Sequence, residues 1–91
     1  MKFKESDLLF EDKYRWKRDS GDRRYIGKLD RIKLDRDEGY EVLDFANTYL
    51  YQNVRNASKK DLHKLEMMLR EKLPSNVDMK DEIADFLLKN W

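Results

Sequence analysis

Leu34-Asp35-Arg36-Asp37-Glu38-Gly39-Tyr40-Glu41-Val42-Leu43 runs on into Asp44-Phe45-Ala46-Asn47-Thr48-Tyr49-Leu50-Tyr51-Gln52-Asn53-Val54, and this stretch decides the fold class. Val42, Leu43, Ala46, Tyr49, Leu50 and Val54 recur at the i, i+3, i+4, i+7 spacing of one helical face, with Phe45 at its margin. Glu41, Asp44, Thr48 and Gln52 take the opposite face. Asp35 and Glu38 have capping-box spacing, in which the first carboxylate accepts an orphan backbone N–H and the second reaches back. Leu34 stands at the staple position just before that cap. The pattern predicts a helix over residues 36–54.

Two further helices follow. Ser58-Lys59-Lys60-Asp61 opens the second with a capping serine and an acid near the positive end of the helix dipole. Leu62, Leu65, Leu69 and Leu73 form its narrow apolar stripe, flanked by Met68, and Pro74 ends it because proline disfavours helical geometry in the residue before it. The third is expected to be capped by Asp78, with Met79, Ile83, Phe86 and Leu87 on one side and Trp91 near that stripe. The connections over residues 55–57 and 74–77 are short, so consecutive helices should pack side by side.

Upstream, the periodicity changes. Lys13-Tyr14-Arg15-Trp16-Lys17-Arg18 alternates basic and aromatic side chains, Asp19-Ser20-Gly21-Asp22 supplies turn residues, and Arg23-Arg24-Tyr25-Ile26 resumes the composition. This predicts a β-hairpin with Tyr14, Trp16 and either Tyr25 or Ile26 facing the helices, since a lone hairpin is marginal in water. Ser6-Asp7-Leu8-Leu9-Phe10 fits a helical turn and a first strand equally. The expected architecture is one mostly α domain over residues 1–91: a compact three-helix C-terminal bundle at 35–91 with a small N-terminal β-hairpin in 1–34, α+β being the variant.

Composition limits what such a domain can do. At 91 residues the chain supports one core. With 43% charged residues it resembles a disordered chain, but two tryptophans, five tyrosines and four phenylalanines supply enough apolar mass to offset the ordering entropy. It has no cysteine, hence no disulfide, thiolate nucleophile or cysteine-ligated metal, and a cytoplasmic setting is expected. The charged start and the lack of a long apolar run argue against a signal peptide and a membrane span. Asn56-Ala57-Ser58 matches a glycosylation pattern, but the capping role explains Ser58 better.

Catalytic and metal chemistry find little footing. The lone His63 lies off the leucine stripe with no nucleophile or orienting partner, which fits a solvated imidazole better than a general base. Asp35-Arg36-Asp37-Glu38 could attract a hard cation, yet acids in a first helical turn already offset the dipole. Asp81, Glu82 and Asp85 fit the exposed first turns of the third helix in the same way. Gly21, Gly27 and Gly39 match no nucleotide-binding pattern. The protein is expected to be no enzyme and to need no cofactor or metal.

The net charge of +1 conceals a segregation. Residues 13–36 hold ten basic and four acidic side chains, net +6, whereas 1–12 carry −2 and 37–91 carry −3. Arg15, Lys17 and Arg18 with Arg23, Arg24 and Lys28 would form a positive two-stranded surface for phosphates, and Trp16 and Tyr25 would stack on unpaired bases. The competing explanation is that charges merely blunt an exposed hairpin edge. A helix-turn-helix built from the last two helices fails, because Asp81, Glu82 and Asp85 would face the phosphates. A nucleic acid is thus the lead partner. The alternative is a protein-interaction module, an adaptor, subunit or inhibitor that could also form a homodimer, anchored by Tyr40, Tyr51, Met67, Leu88 and Trp91. Those five lie off the main stripes, although a wider core would absorb them equally well.

Overall fold

A computed structural model describes residues 3–16 and 32–91, and within them the fold is mostly helical. The first helix, α1 (Gly39–Asn53), starts later than the capping pattern predicts. Its N-cap is Glu38 rather than Asp35: the buried Glu38 carboxylate accepts from the amides of Tyr40 at 2.6 Å and Glu41 at 3.3 Å. Asp35 instead accepts from the Asp37 amide at 2.9 Å, an Asx turn, and the Glu41 carboxylate reaches back to the Asp35 amide at 3.2 Å. The cause lies upstream. The Arg15 amide donates to the Asp37 carbonyl at 2.6 Å and the Gly39 amide to the Arg15 carbonyl at 2.8 Å, so residues 35–38 are drawn into a parallel bridge and out of the helix. Val42, Phe45, Ala46, Tyr49 and Leu50 are the buried face, with Leu43 and Val54 half-buried at its edge.

Asn56, at φ 54°, turns the chain in the left-handed region that asparagine tolerates and delivers it to α2 (Lys59–Met67). The serine cap is present: the Ser58 amide donates to the Asp61 carboxylate at 2.9 Å. Leu62, Leu65, Met68, Leu69 and Leu73 are all buried. Beyond Met67 the helix widens into a π turn, Met68–Lys72, closed by the Leu73 amide on the Met68 carbonyl at 2.9 Å. One side chain gathers carbonyls at and beyond this turn. The Arg36 guanidinium donates to those of Leu69, Leu73, Pro74 and Val77, which makes it a clamp on the end of the helix.

The last helix, α3 (Lys80–Asn90), begins without the Asp78 side-chain cap expected of it. An antiparallel bridge between Lys33 and Met79 takes over that task. The Lys80 amide donates to the Ile32 carbonyl at 2.8 Å and the Leu34 amide to the Asp78 carbonyl at 2.8 Å, satisfying a first-turn donor with backbone. Ile83 and Leu87 are fully buried and Phe86 is half-buried.

The N-terminal arm wraps this bundle. Asn47 clasps the backbone of Phe3 from both sides, and Glu5–Asp7 forms a 3-10 turn, which resolves the helix-or-strand ambiguity over residues 6–10 toward a turn. A second 3-10 turn, Glu11–Lys13, precedes Tyr14. The described residues contain no strand, so the predicted hairpin is unsupported there; its loop and second arm fall outside them. The alternation that suggested it is real but has another partner. Arg15 pairs with Glu38 at the start of α1, leaving Tyr14 buried and Trp16 half-buried on one side of an extended segment. A radius of gyration of 12.8 Å is near the about 12 Å of a compact chain this long.

Candidate functional site

The residues proposed for nucleic-acid contact are only partly within view. Lys17, Arg18, Arg23, Arg24, Tyr25 and Lys28 lie outside the described residues. Arg15 is exposed but pairs with Asp35 at 3.2 Å. Trp16 is committed to the fold. Its indole N–H donates to the Glu11 carbonyl at 3.0 Å, and its ring lies edge-on to Tyr40 with centroids 4.9 Å apart. The ring also covers Gly39 so closely that a Cβ there would sit 2.5 Å from the indole carbons. Trp16 and Tyr40 therefore pack against each other, and both remain half-buried.

The remaining protein-interface residues scatter except for one pair. Tyr51 is 82% exposed beside Val54 and Ala57 at the far end of α1, and Leu88 is 58% exposed on the outer side of α3. Met67 and Trp91 come together. They line an open groove of about 880 Å³ between α2 and α3, whose apolar lining is completed by Met68 and Phe86. Trp91 is held in place by Tyr49, ring centroids 5.9 Å apart, and by the Lys64 ammonium 4.6 Å from its ring.

The rim is basic. Lys60, Lys64 and Lys72 flank the groove with His63 and Asn90, and no acidic side chain among the described residues lines it. None of the three lysines is ion-paired among the described residues. His63 departs from the solvated surface role expected of it: half-buried, its Nε2–H donates to the Asp7 carbonyl at 2.8 Å, tying the N-terminal arm to α2. Sequence reading missed this rim: Lys60 and Lys64 stand one turn apart on α2, but at regular helical spacing Lys72 would lie about 120° round from Lys60, and it reaches the groove only through the π turn Met68–Lys72.

Directly behind the groove wall sits a buried acid that hydropathy did not foresee. Glu66 is 0% exposed, and its carboxylate accepts from the amides of Leu9 at 2.6 Å and Phe10 at 3.2 Å and from the Tyr14 hydroxyl at 2.8 Å. Burial, followed by the hydrogen bond to Glu66 and its charge, pushes the Tyr14 phenol well above its ordinary range. Every oxygen of this carboxylate has a structural donor, and no nucleophile or second acid accompanies it, so its chemistry is that of a latch.

Among the described residues no three histidine or acidic side chains are placed to hold a metal ion, and no helix is long and apolar enough to cross a membrane. Comparison with protein families, with curated proteins and with solved structures finds no match for this chain. What fold and site together define is a small, mostly helical domain with a basic-rimmed apolar groove.

Proposed function

We propose that this protein is a non-enzymatic binding module that captures a protein partner in the α2–α3 groove. The observation that carries the reading is the gathering of Met67, Phe86 and Trp91 in one open trough, where polarizable and aromatic side chains offer the surface that interface anchors use. Helix-in-groove recognition needs this shape: two helices as walls and apolar anchor positions along the floor. A photo-crosslinking residue at Met67, with one at Thr48 on the exposed face of α1 as control, tests it in the cells that make the protein. Crosslinks at Met67 to a defined partner segment, mapped by mass spectrometry and suppressed by Phe86→Asp, are expected. Equal yields from both positions would end this reading.

Nucleic-acid binding is retained as the second reading, because residues 13–36 carry ten basic against four acidic side chains. Affinity for a short duplex or single strand should then fall with salt with a log-log slope of about four to six. No binding at low salt would remove it.

A further inference from the structure

We infer that the occupant of the groove is an acidic amphipathic helix of another protein, with leucine or aromatic side chains entering between Met67 and Trp91 and carboxylates meeting Lys60, Lys64 and Lys72. This rests on the docking reading above and adds the chemistry of the partner. Charge carries it: three ammonium groups stand on the rim of one apolar trough, none of them ion-paired among the described residues, and no acidic side chain among those residues lines the trough. Among the described residues, Arg15 pairs with Asp35, Lys59 with Asp7 and Lys89 with Asp85, none of them at this rim. A partner that brings carboxylates to this rim gains three ion pairs that become partly desolvated on docking, while a basic partner meets repulsion at the same points. The trough is open rather than enclosed, which suits a helix laid into it better than a small buried ligand.

The test uses the whole chain and two synthetic helical peptides of about 16 residues, long enough to hold helicity on docking. Both carry leucine and phenylalanine at i, i+3, i+4 and i+7; one has glutamate at the flanking positions, its twin lysine. The glutamate peptide should bind about tenfold more tightly at low salt, a gap that three rim pairs can supply and that narrows as salt is added. Binding should move the Met67 and Met68 methyl resonances, and the combined Lys60→Glu, Lys64→Glu and Lys72→Glu variant should invert the preference. If that variant fails to fold, Lys60→Glu with Lys72→Glu makes the same test and spares the Lys64–Trp91 contact. Equal affinity for both peptides, lost in Met67→Asp, would overturn the inference while leaving the docking reading standing. Preference for the lysine twin, or no binding of either, would overturn it too, and the crosslinking experiment then decides the docking reading separately. Sedimentation that reveals self-association through these lysines would reassign the groove to a second copy, and a DNA 20-mer that shifts the same methyls more tightly than the glutamate peptide would reassign it to nucleic acid.

Discussion

Glu66 and Met67 are chain neighbours with places exchanged relative to their hydropathy. The carboxylate is fully buried under the N-terminal arm, and the thioether is 42% exposed on the groove. Glu66, i+4 from Leu62 and i−3 from Leu69, falls on the buried leucine face of α2 and Met67 lies off it, and the two have different neighbours: the arm covers Glu66 with backbone amides and a phenol, whereas Met67 opens onto the groove between the lysines. A buried charge is tolerated where donors are supplied to it, and apolar surface left uncovered at a basic rim is where a partner gains most. The first is a device of the fold. The second is the place to look for function.

The largest expected effect tests the first half of that contrast. Glu66→Ala strands two part-buried amides and a buried hydroxyl without an acceptor and should cost about 3 kcal/mol in urea unfolding, with the arm becoming protease-sensitive first. A variant as stable as the parent would mean that the arm is not held by this carboxylate. Gly39→Ala comes next. The new methyl collides with the Trp16 indole, so the parallel bridge must open, with a loss of about 2 kcal/mol and a shift in tryptophan emission.

Tyr14→Phe sharpens the contrast by pH. Its phenol stays protonated in the folded protein well beyond the pH at which the unfolded chain ionises, near 10, so the unfolded state sheds a proton that the folded state keeps. Stability from this group is complete below about pH 10 and declines above it. Tyr49 is shifted upward by burial as well, so stability should still fall above pH 10 in Tyr14→Phe, but more slowly than in the parent. Near neutrality the substitution should cost about 1 kcal/mol. Parallel pH profiles would show that the Tyr14 hydroxyl is not sheltered.

The smallest effects fall on the other half. Met67→Asp and Leu88→Asp place a charge on already exposed positions and should change stability by no more than about 0.5 kcal/mol, with helical circular dichroism intact. Only Met67→Asp should then impair partner capture, because Leu88 stands on the outer side of α3. Unfolding of either variant would return that residue to the core.

The three helices were legible because their spacing is local: Leu62, Leu65, Leu69 and Leu73 had to face inward whatever they met, and Ser58 with Asp61 carried its cap in four consecutive residues. The other two starts were misplaced for one reason. Asp35 and Asp78 are sensible caps by type, but Arg15 reaches the first site and Ile32 the second through backbone pairing, and no local pattern announces a partner that distant in sequence. The site divides in the same way. Met67 and Trp91 could be singled out as apolar residues off the stripes, but their meeting across 24 positions, and the lysines around them, required the packing of α3 on α2.

Periodicity and capping chemistry by themselves determined the existence, order and inward faces of the helices, since each is a property of residues a few positions apart. The tertiary structure alone decided that Trp16 packs on Gly39 and Tyr40, that Arg36 closes the turn after α2, that Glu66 lies inside and that three lysines ring one apolar trough. Those outcomes depend on which backbone donors, carbonyls and rings arrive from elsewhere in the chain, and burial free energy is settled by that arrival rather than by the residue type.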